Sequence, residues 1–380
     1  MKSTWKPAAV MLALLSLALL IYWPGLKGGF LFDDFYNLEP LGADGGVVDW
    51  ATLKSFTLHG LSSSLGRPLS LLTILLDDNA WPSVAAGFKW TNLKIHLLCG
   101  LLLCWLILKL LREYRFSERS AQWMAVFASA CWLLHPLMVS TTLYVIQRMA
   151  QLSTLFVFAG ILGYLHGRSL LPEHKRTAYL WMTASLGLGG VLAVLSKENG
   201  ALLPLLLLAI EFCLPDSPCR PDRRWRFVFL ALPSLILIGY LASLIDLSEN
   251  PWPVRLFNQK ERLWSEARIL WEYLGQLCVP RIEGRGLFQD GYHISRGWLT
   301  PWTTLPAVLG LGALFGLALF LRRRWPLVSL AILFFFAGHL IESSVIGLEL
   351  YFEHRNYLSA AFLFLPLAWA LSLLASKIER

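Results

Sequence analysis

Stretches of apolar residues long enough to cross a bilayer recur along this chain, and that recurrence confines it to a polytopic helical membrane fold. A crossing helix needs about 20 predominantly apolar residues. On that ruler ten spans are expected, near residues 7–24, 92–111, 120–139, 149–166, 177–195, 199–214, 227–245, 303–321, 326–346 and 357–376. Composition agrees: 15% of residues are charged and 56% hydrophobic, against roughly 25% charged in a soluble domain. The net charge of +8 does not point to nucleic acid, because the basic residues cluster between apolar runs. The first run, Ala8 to Trp23, follows Lys2 and Lys6 like a signal peptide, but no small-x-small cleavage site precedes Lys27, so it is expected to stay as the first helix. The fold class is therefore all-α, one transmembrane domain over residues 1–380.

The connecting segments alternate in charge. Lys2 and Lys6, Arg112 to Arg119, Arg168 to Arg176, Arg220 to Arg226, Arg322-Arg323-Arg324, and Lys377 with Arg380 form one basic set. Three short loops of the opposite set carry one cation apiece, Arg148, Lys197 and Arg355. The positive-inside bias places the first set and both termini in the cytoplasm. Two long outer loops remain, 25–91 and 246–302. In the first, Leu69 to Leu76 is too short to span and reads as one or two helices lying in the interface. In the second, Leu263, Ala267, Leu270, Leu274 and Leu277 give a helix over 260–277 one apolar face. The cysteines at 99, 104, 131, 213, 219 and 278 show no metal-binding spacing and read as small apolar residues. A Cys213–Cys219 bridge would fall on the cytoplasmic side, where thiols stay reduced.

Polar residues that ten ordinary spans would not need fall on the outer side. Asp33-Asp34 end span one among aromatics, and Arg67-Pro68 start the interfacial helix. Asn92 and His96 share a face of span two. His135-Pro136 lie near the end of span three, Gln147-Arg148 open span four, Lys197-Glu198-Asn199 turn between spans five and six, and Glu353-His354-Arg355 open span ten. Each has a plainer reading. The aspartates fit a helix cap, His96 and His135 fit interhelical hydrogen bonds, Arg148 and Arg355 fit snorkelling anchors, and Lys197-Glu198 fits a turn ion pair. Their shared side favours a single cavity facing outward, since ionisable groups near a bilayer are costly and mark function.

Those residue types suit a particular chemistry. A carboxylate at a membrane surface can deprotonate an acceptor hydroxyl or hold a divalent metal, Mg or Mn, with Asp33 and Asp34 as its ligands. Arginine presents a fork that matches phosphate oxygens, and lysine offers a point charge. Together they fit a donor linked to a lipid phosphate.

The motifs resemble the GT-C superfamily of integral membrane glycosyltransferases. More narrowly they resemble the transmembrane O-mannosyltransferases that target cadherins, and their bacterial relatives. The matching pieces are Phe32-Asp33-Asp34, Gly66-Arg67-Pro68-Leu69, Thr91 to His96, His135-Pro136, Tyr144 to Met149, Ser196 to Asn199 and Tyr351 to Leu358. They stand in family order and cover nearly the whole chain. The resemblance implies an inverting glycosyltransferase that moves a sugar from a polyprenyl-phosphate donor to Ser or Thr of an exported protein, for instance a pilin. Its site would face the periplasm from a bacterial cytoplasmic membrane. Asp33 or Asp34 would be the catalytic base, with Asp33 favoured. Arg148, Lys197, Arg355 and Arg67 would contact the donor phosphate or lipid, and Asn92, His96, His135, Gln147, Glu198, Glu353 and His354 would shape the pocket. Two departures stand out. Ser140 occupies a position where relatives carry Glu, which weakens the case for a metal. The tetratricopeptide tail of relatives does not follow span ten, so the two outer loops or a partner are expected to recognise the acceptor. A glycolipid or polysaccharide acceptor, as in lipid A modification, shares the donor chemistry and stays open. A transporter of lipid-linked sugar would need charge at mid-span, where this chain has little.

Overall fold

The computed structural model describes residues 5–378, apart from 64, 247, 249–251, 282–288 and 290. Lys2 and Arg380, counted above among the cytoplasmic charges, and part of the second outer loop lie outside the described residues. Those residues are helical, with no β-strand among them and one isolated bridge between Gly297 and Thr300. The chain divides into two compact units, residues 1–134 with 138–203, and residues 135–137 with 204–380.

In the first unit, α1 (Trp5–Tyr22) tightens into a 3-10 turn at Pro24 and leads to the acidic turn. Three short helices follow, α2 (Asp33–Leu38), α3 (Trp50–Leu58) and α4 (Pro68–Ile74), with a 3-10 stretch between the first two. Asp49 and Thr52 cap α3 reciprocally, which closes two otherwise orphaned N–H groups. Pro68 sits at the start of α4, where its missing N–H costs nothing. The long helices are α5 (Ala85–Glu113), α6 (Glu118–Leu133), α8 (Arg148–Ser169) and α9 (Lys175–Ser196), with the short α7 (Met138–Leu143) before α8. Small residues let α8 and α9 approach closely: a Cβ on Gly189 would lie 2.9 Å from Gly160 Cα, and one on Gly167 would lie 2.9 Å from the Ala178 carbonyl. Such small-residue contacts are how membrane helices gain packing without a hydrophobic driving force. Ser70 Oγ donates to the Ser196 carbonyl at 2.9 Å and so pins α4 to the end of α9.

The second unit holds α10 (Leu203–Cys213), α11 (Arg223–Arg226) running through a π turn into α12 (Leu232–Ser243), α13 (Gln259–Cys278), α14 (Thr304–Leu321), α15 (Pro326–His339), α16 (Asn356–Ser359) and α17 (Leu365–Ile378). The helix expected over 260–277 is α13, capped by Asn258 and Glu261.

Among the described residues, six helical stretches are long and apolar enough to cross a membrane: Trp5–Lys27, Ala85–Glu113, Val145–Ser169, Lys175–Ser196, Arg223–Ser243 and Thr304–Leu321. The other four expected spans are shorter or broken, and proline accounts for much of this. Pro136 ends the helical run of span three, which stops at Leu133, because a residue before proline is pushed out of the α region. Pro204, Pro326 and Pro366 each stand at the first turn of a helix, shortening α10, α15 and α17 from the N-terminal side. Past His339 the chain leaves the helix, and side chains of α13 take its carbonyls: Arg262 donates to those of Glu342, Ser344, Leu348 and Glu349, and Gln259 to that of Val345.

Candidate functional site

The two adjacent aspartates have opposite surroundings. Phe32 precedes them at φ 40° and ψ −108°, a backbone state that a bulky L-residue rarely adopts and that marks local strain. The turn it makes buries Asp34 completely. Asp34 Oδ2 accepts from the Leu31 amide at 2.9 Å, and Oδ1 from the Ile146 amide at 2.7 Å. Burial pushes the Asp34 carboxyl up to about 6, against the pull of those amides and of the Lys89 charge. Asp33 instead is exposed. Its amide donates to Tyr144 Oη at 2.9 Å, its carbonyl accepts from Asn37 at 2.8 Å, and its carboxylate also interacts with the Tyr144 phenol. Burial and the two carboxylates raise the pKa of the Tyr144 phenol, so Tyr144 stays neutral. Phe35 and Tyr36 are exposed beside Asp33, at 45% and 57%. Asp34 thus anchors the acidic turn to the start of the Val145–Ser169 helix, and Asp33 presents a carboxylate to the outside.

Tyr144 links this turn to a buried arginine. Asn92 donates to the carbonyls of Tyr144 and Val145 at 3.3 and 3.1 Å, and its Oδ1 accepts from Arg148 Nε at 2.7 Å. Arg148 is fully buried. Its other nitrogens donate to the Thr73 carbonyl at 2.7 Å, to Asp77 Oδ2 at 2.5 Å and to the Phe88 carbonyl at 2.9 Å. Every nitrogen of Arg148 is engaged within the protein. In this geometry it braces α4, α5 and α8 rather than offering a fork to an external phosphate. Sequence reading missed Asp77. The available signal was physical: an arginine at that depth needs a carboxylate, and Asp77 closes the apolar stretch of the expected interfacial helix.

Arg67 and Glu198 form the outward part of the network. Arg67 Nε donates to Glu198 at 3.0 and 3.2 Å and Nη2 at 2.8 Å, while Nη1 reaches Met149 Sδ at 3.0 Å. Their side chains are 18% and 28% exposed. Arg67 holds φ 52° and ψ 53°, so both Phe32 and Arg67, each within a motif, adopt left-handed backbone. Burial opposes the charge of Glu198, but Arg67 outweighs it and holds the carboxyl below its usual range. Lys197 and Asn199 are buried and Gln147 is half-buried. His96 is remote from solvent: Nε2 meets the Leu133 carbonyl at 2.9 Å, between the rings of Tyr22 and Trp132, each centred 5.2 Å away. Its placement is that of an interhelical hydrogen-bond residue. Sequence reading also missed Lys89, on the first turn of α5 and 3% exposed.

Arg355, His135, Glu353 and His354 belong to the second unit. Arg355 is buried and donates to Glu266 at 3.1 Å, to the Leu350 carbonyl at 2.7 Å, and to the Glu349 carbonyl. Glu266 also pairs with Arg262 at 2.9 Å. Burial raises the Glu266 pKa against the pull of both arginines, and it lowers that of Arg262 to about 10. Tyr273 Oη donates to the Phe352 carbonyl and accepts from its amide, both at 2.9 Å. The half-buried His354 stacks on Phe352, and Glu353 is half-buried beside it. His135 packs against Phe364 with the rings tilted by 34° and their centres 5.5 Å apart. Arg262 and Glu266 were read as part of an amphipathic helix; nothing in their spacing marked them as partners of Arg355.

The aspartates do not form a paired metal-ligand set. Both oxygens of Asp34 face backbone amides, leaving Asp33 alone, and no cluster of three or more His, Cys, Asp or Glu suited to a metal occurs among the described residues.

A protein O-mannosyl-transferase of Caenorhabditis elegans is 23% identical to this chain over 281 residues, covering 71% of the chain and 37% of the relative's length. The chain thus spans little more than a third of that relative. No family model and no solved structure matches it.

Proposed function

We propose that this chain is a membrane glycosyltransferase that moves a sugar from a polyprenyl-phosphate carrier to a Ser or Thr hydroxyl of an exported protein, with Asp33 as the general base. The observation that carries the reading is the division of labour in the acidic turn: Asp34 is locked to backbone amides and Asp33 is exposed on the same rigid support. The likeness to an O-mannosyl-transferase supports the transfer chemistry. In the reaction the acceptor oxygen attacks the anomeric carbon from the face opposite the phosphate. The new C–O bond forms as the bond to the phosphate oxygen breaks, the hydroxyl proton passes to Asp33, and the lipid phosphate departs with both electrons, inverting the carbon. Positioned general-base catalysis contributes about 10²–10⁴-fold. Arg67, half-exposed beside Glu198, and Lys197 supply positive potential for the leaving phosphate, while Arg148 and Arg355 act as framework.

The alternation of basic segments supports ten crossings with both termini cytoplasmic and the acidic turn on the far face of a bacterial inner membrane. Mass spectrometry of envelope proteins from wild-type, deletion and Asp33→Asn strains tests the function. The reading expects a glycan on a Ser/Thr peptide that disappears in both mutants. A deletion that alters only a glycolipid or polysaccharide would refute the protein acceptor.

A further inference from the structure

The geometry points to Lys89 as a direct ligand of the donor's lipid-linked phosphate, an inference that rests on the function proposed above. Four buried or half-buried cations lie at the end of the first unit that carries the acidic turn. Arg67 is committed to Glu198 and Met149. Arg148 is committed to Asp77, Asn92 and two carbonyls. Lys197 is engaged as well. Lys89 differs. Its side chain is almost wholly covered, 3% exposed, but Nζ is not among the polar atoms closed off from water without a partner, so the stem is packed and the tip meets the surface. Yet among the described residues it makes no hydrogen bond and no ion pair; it feels the Asp34 carboxylate only at longer range.

An ammonium that meets the surface with no protein partner is open to an anionic ligand, and a phosphodiester fits it. The space for Lys89 is made by Gly28, where a Cβ would lie 2.9 Å from Lys89 Nζ. Gly28 holds φ −67° and ψ 151°, which any residue adopts, so the glycine is needed here for room rather than for backbone freedom. Lys89 stands one turn before Asn92 on α5, and Asp34 joins the acidic turn to the same neighbourhood. The cation therefore lies in the neighbourhood of the acidic turn that carries the proposed base. Its charge grows in value as the sugar–phosphate bond breaks, because negative charge accumulates on the leaving oxygen.

The test uses the full chain in lipid nanodiscs, with undecaprenyl phosphate as the probe and undecaprenol and inorganic phosphate as controls. Wild type is expected to bind undecaprenyl phosphate more tightly than undecaprenol. Lys89→Met should weaken undecaprenyl phosphate binding at least ten-fold and leave undecaprenol binding unchanged. Lys89→Arg should retain most of the affinity. Gly28→Ala should weaken it by displacing the ammonium while the lysine remains. Inorganic phosphate at millimolar concentration should not compete. A folded Lys89→Met protein with wild-type affinity overturns the assignment and leaves the proposed function standing. Should that variant not fold, unaltered affinity in Gly28→Ala overturns it instead. Competition by inorganic phosphate would make this a general anion site and refute the lipid-linked donor there. A wild-type protein that does not distinguish undecaprenyl phosphate from undecaprenol would remove both this inference and the proposed donor.

Discussion

Each unit is braced by buried arginine, and the two braces balance charge differently. In the first unit Arg148 meets one carboxylate, Asp77, and its remaining donors go to Asn92 and two carbonyls. In the second, Arg262 and Arg355 share the single carboxylate of Glu266, and backbone carbonyls of residues 342–350 accept from their Nη groups and from Arg262 Nε. The first arrangement is neutral as a pair. The second holds two cations on one acid, tempered by the nearby Glu342 and Glu349 charges. Losing the acid should therefore hurt the second unit more than the first. A buried pair broken on one side leaves a charge without compensation, at a cost of about 3–5 kcal/mol.

The largest effect is expected from Glu266→Gln, which strands two arginines at once: a loss near the upper end, about 5 kcal/mol, seen as a lower unfolding midpoint. Arg148→Met should cost about 3–4 kcal/mol by leaving Asp77 and the Thr73 and Phe88 carbonyls unanswered. Equal losses from Asp77→Asn and Glu266→Gln would break the comparison. A double Arg148→Met, Asp77→Leu variant that regains part of the loss would sharpen it, since apolar replacement of a whole buried pair is often tolerated.

A smaller effect is expected from pH. The carboxyl of Asp34 is raised in the fold from its ordinary 3.8 to about 6, so the folded state binds its proton more tightly than the unfolded chain does. Ionised Asp34 burdens the fold above pH 6, and that burden fades as pH falls from 7 through 6 toward 4. The stability gained over that window is up to about 3 kcal/mol. Comparing unfolding midpoints of wild type and Asp34→Asn across the window checks this, since the variant should lack the slope. The smallest effect belongs to Tyr144→Phe, which removes one acceptor for the Asp33 amide and should cost about 1 kcal/mol.

What could be read from sequence follows physical lines. The all-helical character and the polar motifs were legible because apolar run length and ionisable residues beside it are local signals. Asp33-Asp34, Asn92, Arg148, Arg67 and Glu198 do come together in the first unit, joined through Tyr144 and Met149. Helix continuity was less legible. The ruler counts apolarity, and a run such as 120–139 stays apolar through the break that Pro136 imposes. Partners were least legible of all. Asp77 and Glu266 gain their meaning from contacts with residues 71 and 89 positions away, and Lys89 from the charge of a residue 55 positions away, and no spacing rule reaches across such a distance. The split between exposed Asp33 and buried Asp34 likewise depends on where the chain near Ile146 returns.

That split is the centre of the account, and one measurement tests it most directly. Purified Asp33→Asn and Asp34→Asn proteins would be assayed for sugar transfer from a polyprenyl-phosphate donor to an acceptor peptide, alongside their unfolding midpoints. The account predicts that Asp33→Asn loses about 10²-fold or more in turnover with its midpoint and donor affinity unchanged, and that Asp34→Asn alters the midpoint and its pH dependence. Near-normal transfer by a folded Asp33→Asn protein would contradict the account and move the base elsewhere.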